Sequence, residues 1–156
     1  MATYQFAEQL AVGEAWEAHL DTFFAAQFPV EIRPASMEEQ RQGIDRLFVA
    51  KRTGAIDTVE YKADRLAGKT GNAFVETVSV DATGKPGWAV ASQARYLVYL
   101  VTEPETIYFI AMRRVRSALP RWKAMCAEAR AQNDGYQTVG LLVPLAELEK
   151  IAIAVW

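Results

Sequence analysis

The hydrophobic period of this chain changes at Gly43, from a helical repeat to a strand repeat. Ahead of that point, residues 4–28 have helical spacing. With successive residues roughly 100° apart, Phe6, Leu10, Gly13, Leu20, Phe24 and Phe28 fall in one stripe of about 80°. Pro29 ends the helix, Val30–Ile32 has room for a short strand, and Ser36 caps a helical turn at 37–40. Beyond Gly43 the alternation predicts strands over 44–50 and 56–63 around the turn Lys51-Arg52-Thr53-Gly54. Residues 64–72 are polar and read as a loop, and 73–80 as a third strand.

The rest continues the mixture. A short helix is expected over 88–93 and a second hairpin from 95–101 and 106–111. A helix follows over 112–131, interrupted by Pro120 and stopped by Asn133-Asp134-Gly135. A strand over 136–143 and a short helix over 145–151 close the pattern. This order predicts one α/β domain spanning 1–156, with helices packed on a mixed sheet.

Composition narrows the function classes. At 156 residues, 51% hydrophobic and 23% charged, the chain has enough apolar material for a core. No apolar run approaches the roughly 18 residues of a membrane span, so a soluble, cytoplasmic protein without membrane contact is expected. Cys126 is the only cysteine and His19 the only histidine, which excludes an internal disulfide, a zinc cluster and a histidine-dependent triad. The net charge of −2 is uneven. Residues 1–40 carry seven acids against Arg33 alone, while Arg113, Arg114, Arg116, Arg121 and Lys123 lie in an acid-free stretch between Glu105 and Glu128. That stretch is either a solvated helix face or a modest basic footprint for nucleic acid.

The chemistry concentrates around Asp45 and Glu60-Tyr61-Lys62. Side chains alternate along a strand, so Glu60 and Lys62 share one face. The hairpin decides where Asp45 falls. A two-residue turn at Thr53-Gly54 puts it opposite Lys62, and a four-residue loop over 51–54 puts it opposite Glu60. Two converging carboxylates suit a hard divalent cation, Mg²⁺ or Mn²⁺, with an ammonium beside it to stabilise a charged transition state. Glu17 lies inside the apolar stripe of the first helix and Glu14 at its edge. Each either reaches the site or pairs structurally. Glu76 sits among apolar residues of the third strand, with the same two alternatives.

Gly43-Ile44-Asp45 followed by Glu60-Tyr61-Lys62, behind a glutamate-bearing helix, resembles the PD-(D/E)XK nuclease superfamily. The likeness is greatest to its small phage- and bacterium-associated members. Further landmarks are Gln42 to Arg46, Gly71-Asn72, Phe74, Glu76-Thr77 and Pro86-Gly87-Trp88, so the resemblance spans roughly residues 10–112. It implies a restriction-endonuclease-like α-β-β-β-α-β core with flanking helices. It also implies Mg²⁺-dependent phosphodiester hydrolysis of nucleic acid, DNA ahead of RNA, leaving a 3′-hydroxyl and a 5′-phosphate. Asp45 and Glu60 would be metal ligands, Lys62 the catalytic lysine, Glu17 the helix glutamate, and Gln93 a further polar neighbour. Ile44 stands where the motif has proline.

Arg46, Arg65, Lys69, Arg113, Arg114 and Arg116 are the candidate phosphate contacts. A small nuclease of this class that cuts both strands would often work as a homodimer. The competing readings are an inert nucleic-acid-binding module of the same fold, and an interaction protein in which the cluster is an ion-pair network.

Overall fold

The computed structural model describes the backbone of residues 2–156 and the side chains of residues 11–156, so Phe6 and Leu10 of the expected stripe lie outside the described side chains. Helix α1 (Ala2–Gln27) is followed by strand β1 (Val30–Pro34) and the short helix α2 (Met37–Arg41). Ser36 caps α2 as expected, and Glu39 completes a reciprocal capping box with it. Strands β2 (Arg46–Ala50) and β3 (Ile56–Asp64) form the expected hairpin, helix α3 (Ala67–Thr70) lies in the expected loop, and β4 (Asn72–Val80) follows. A two-residue strand β5 (Lys85–Pro86) precedes α4 (Trp88–Ala91). Next come β6 (Tyr96–Thr102), β7 (Glu105–Ala111), α5 (Met112–Met125), β8 (Glu128–Gln132), β9 (Gln137–Pro144), α6 (Leu145–Ile151) and β10 (Ala154–Val155).

The strands make two sheets. The larger runs β1-β2-β3-β6-β7-β10, antiparallel throughout except for the parallel pair β3 and β6. The smaller, wholly antiparallel, runs β5-β4-β9-β8. The chain is therefore mixed α/β, but β4 does not extend the β2–β3 hairpin. Both edges of β3 are already taken, by β2 and β6, and β4 finds its partner in β9.

Alternation in β3 and β6 separates two cores. Val59, Tyr61, Val98 and Leu100 point to α1 and pack on Leu20 and Phe24, with Phe48 and Ile107. Leu97, Tyr99 and Val101 point the other way. They pack with Ala73 and Val75 of β4, Leu141 and Val143 of β9, and Met112, Val115, Leu119 and Trp122 of α5. Glu60 and Lys62, out of phase with Val59 and Tyr61, belong to this second side.

Two expectations about helices change. In α1, Leu20 and Phe24 are buried but Gly13 is exposed, and Phe28, one residue past the helix end, remains 39% exposed, so the described contact face is shorter than the stripe. Helix α5 continues through Pro120 and stops at Met125, not at Ala131. Residues 128–132 pair instead with β9, Arg130 against Val139, around a turn with Gly135 at φ +80°. Asn133-Asp134-Gly135 is thus a hairpin turn rather than a helix stop.

Candidate active site

Hairpin register brings the two central acids together. Arg46 faces Val59 and Val49 faces Ile56, which makes residues 51–54 the loop and puts Asp45 across from Glu60. The Asp45 N–H donates to the Val59 carbonyl at 2.9 Å, and the Tyr61 N–H donates to Asp45 Oδ2 at 2.8 Å. The carboxylate thus takes the place of a ladder carbonyl just before β2 begins. Asp45 is half-buried, and its second oxygen has no hydrogen-bond partner among the described residues.

Glu60 is 3% exposed. Lys62 Nζ reaches its Oε1 at 3.0 Å, while Oε2 is buried without a hydrogen-bond partner among the described residues. Burial pushes the Glu60 carboxyl above its ordinary range, Lys62 and the Ser92 hydroxyl beside it offset part of that, and neighbouring Asp45 adds to the rise. Burial works against the charge on Lys62, but Glu60, Asp45 and Glu76 outweigh it and hold the ammonium above its usual range. Glu76 reaches the cluster from β4. Burial raises its carboxyl too, and Lys62, the Trp88 N–H and Lys85 pull it back.

The close approach of α4 to Glu76 depends on Gly87. A Cβ there would sit 2.5 Å from the Glu76 carbonyl oxygen and 2.6 Å from its Cγ. Lys62 and Glu76 open onto a cleft of ≈ 710 Å³, whose wall includes Phe74 and Trp88 and whose rim carries the exposed Arg65 and Lys69.

The remaining expected residues lie elsewhere. Glu17 is on α1, on the opposite side of the sheet, and its Oε2 accepts from Arg46 at 3.1 Å. It does not join Asp45 and Glu60, because α1 covers the Val59 and Tyr61 face. Glu14 is exposed on the same helix. Arg46 is held by Asp21 at 3.0 Å as well as by Glu17, its guanidinium lies 5.4 Å from the Tyr61 ring centre, and its side chain is only 16% exposed. It is a structural cation rather than a free phosphate contact. Gln93 lines a separate hollow with Arg113 and Arg116, and Arg114 donates to the Ile151 carbonyl at 3.0 Å.

Two functional neighbours escaped the sequence reading. Asp64, placed there in a loop, ends β3 and organises the cleft wall. It accepts from the N–H groups of Leu66, Ala67 and Phe74 and from the Tyr99 hydroxyl. Its place two residues after Lys62 was the available signal, since Glu60, Lys62 and Asp64 continue one strand face. Ser92, 2% exposed, lies beside Glu60, and no local motif marks it.

Among the described residues no three acids, histidines or cysteines converge closely enough to form a metal cluster. Among them, too, no helix is long and apolar enough to cross a membrane. The donor set at the cluster is two carboxylates, a third at its edge and an ammonium, a combination suited to a hard cation that keeps several waters. No protein-family model, curated protein or solved structure matches the chain.

Proposed function

We propose that the chain is a metal-dependent phosphodiesterase of restriction-endonuclease-like type acting on nucleic acid, DNA ahead of RNA. The observation that carries this reading is Glu60 Oε2, a buried carboxylate oxygen with no hydrogen-bond partner among the described residues, across the hairpin from Asp45. An unpaired buried acceptor is costly, and a bound cation removes the cost. Asp45 and Glu60 would hold Mg²⁺ or Mn²⁺, with solvent completing the shell. Bound there, the ion would supply Lewis acidity and a water of lowered pKa.

The chain's own residues account for the other requirements. Lys62, kept protonated by three acids, offers a fixed positive charge where negative charge grows on the phosphate. Arg65 and Lys69 on the cleft rim offer phosphate contacts.

Oligonucleotide or plasmid cleavage with Mg²⁺, with Mn²⁺ and with EDTA tests the reading. Cutting should require the metal and should be lost in Asp45→Ala and Lys62→Ala, with the circular-dichroism spectrum of each variant showing that it is folded. Calorimetry with Mn²⁺ should give heat that disappears in Glu60→Gln. Cutting that survives both substitutions, or equal heats in parent and Glu60→Gln, would remove the assignment.

A second reading has one observation in its favour. Glu60 is already paired with Lys62, and among the described residues no third acid comes close enough to complete a metal cluster, which also suits an inert nucleic-acid-binding module. Salt-dependent binding without cleavage under any metal would select it.

A further inference from the structure

The short helix α4 bridges Glu76 and Glu60 in space, and its two ends do different things. Its first N–H, at Trp88, lies against the Glu76 carboxyl. Its C-cap is Ser92, whose Oγ donates to the Gly43 carbonyl at 3.0 Å and accepts from the Ala94 N–H at 3.3 Å. The next residue repeats the contact, the Gln93 N–H donating to the Gln42 carbonyl at 2.8 Å. Gln42-Gly43 and Ser92-Gln93 therefore form a clasp between two segments 49 residues apart in sequence.

The clasp has no slack. Gly43 is at φ +79°, and a Cβ on it would sit 2.9 Å from Ser92 Oγ and 3.0 Å from Ser92 Cα. Ile44 continues the contact by burying its side chain with Ala35 and Ala94. Asp45 is the very next residue, and its own backbone is then fixed by Val59 and Ala35. The same Ser92 hydroxyl lies beside Glu60 on the other strand of the hairpin.

We propose that Ser92 is a positioning residue that sets the separation of the Asp45 and Glu60 carboxylates. It anchors Gly43, two residues ahead of Asp45, to the segment that packs on Glu60. The hairpin ladder fixes register up to its first pair, Arg46 with Val59; ahead of that pair the Asp45 backbone is held by single bonds to Val59 and from Ala35, and the clasp adds a restraint just ahead of them. This rests on the reading of Asp45 and Glu60 as the two carboxylates of one metal site. Ser92 needs to touch neither ion nor substrate. Groups that orient ligands in this way typically contribute 10- to 100-fold in metal affinity.

The test uses the full chain and two readouts. In the first, amide hydrogen exchange is followed by NMR without metal. The Tyr61 N–H is bonded to the Asp45 carboxylate, so it reports whether Asp45 stays docked. In Ser92→Ala its exchange should accelerate about tenfold or more relative to Val98 and Leu100, core residues of β6 that report global opening. Ser92→Cys keeps the volume against Gly43 with a weaker donor, and should give a smaller effect in the same direction if the alanine variant does not fold. In the second, Mn²⁺ calorimetry should show affinity reduced about tenfold in Ser92→Ala.

Tyr61 exchange that keeps pace with Val98 and Leu100 in both variants would overturn the proposal and leave Ser92 a packing residue. A parent protein that binds no Mn²⁺ would overturn the metal reading instead. The exchange experiment would still decide whether the clasp positions Asp45.

Discussion

Asp45 Oδ2 accepts the backbone N–H of Tyr61 at 2.8 Å, which ties one acid to the strand that carries Glu60 and Lys62. The bond needs an acceptor oxygen, whereas a metal ligand needs the charge. Asp45→Asn retains the first and loses the second. It should melt within a few degrees of the parent while cleavage falls about 10²- to 10³-fold. Asp45→Ala loses both, and should add a stability cost of about 1 kcal/mol for the unpaired N–H. Paired denaturation and rate measurements on the two variants separate the roles.

The pH dependence of cleavage follows from Glu60 and Lys62. Burial raises the Glu60 carboxyl above 4.5, and a protonated carboxyl is a poor ligand. Mn²⁺ affinity, and with it the rate at sub-saturating metal, should therefore rise with pH as this carboxyl loses its proton. Lys62 is raised above 10.5, so it stays an ammonium across the neutral range and adds no inflection below that value. A profile of kcat/KM against pH checks both limbs. An inflection near neutrality that vanishes in Lys62→Arg would assign the lysine a proton-transfer role instead.

How much of this could be read from residues alone depends on the range of the interaction. Period two located β2, β3 and β4, and the Ser36 cap located α2, because each is set by neighbours a few positions away. The hairpin left two registers open, and the loop over 51–54 selected the one that faces Asp45 with Glu60. What local pattern could not supply was the partner of each strand. β4 reads as a third strand of the same sheet, yet it pairs with β9, some 65 residues on. The segment 128–131 reads as helix, yet pairing with β9 makes it β8.

The site was legible in the same uneven way. Asp45, Glu60 and Lys62 converge because one hairpin carries all three. Glu17 does not, since the wheel showed that it lies inside the apolar stripe but not which face of the sheet that stripe covers. Ser92 and the hold of Arg46 on Asp21 and Glu17 depend on tertiary contacts, and nothing in their neighbours announces them.

Arg46 ties β2 to α1 through Asp21 and Glu17, and Tyr61 donates to Asp21 at 3.0 Å in the same group. Arg46→Ala leaves two acids facing each other without their shared cation. It should cost about 1.5–3 kcal/mol of stability, the usual range for hydrogen bonds to charged groups. The salt dependence of nucleic-acid binding should not change, because the side chain is not free to meet phosphate. A denaturant melt and a salt titration on one preparation measure both effects.

Acid stability has a separate origin in Glu147. Lys150 at 2.9 Å, Arg121 at 2.7 Å and the Trp122 indole N–H hold this buried carboxyl down to about 2. Its folded pKa lies below the unfolded value near 4.5, so its contribution is complete above 4.5 and is lost as pH falls toward 2. The melting temperature of the parent should therefore exceed that of Glu147→Gln at neutral pH. The gap should close between pH 4.5 and 2. A constant gap over that interval would show that packing, not charge, is what the substitution removes.

Arg65 and Lys69 flank the cleft into which Lys62 and Glu76 open, and neither has an ion-pair partner among the described residues. Each free cation that meets a phosphate releases condensed counterions and adds about 0.9 to the slope of log affinity against log salt on duplex DNA. Arg65→Ala combined with Lys69→Ala should lower that slope by about 1.8, or by about 1.4 on a single strand. The metal affinity should be untouched, since both residues stand at the rim. Arg113 and Arg116 line a different hollow, beside Gln93. Measured in parallel, their double alanine variant traces the path of the strand. A drop of similar size extends the interface along α5, and an unchanged slope confines it to the cleft.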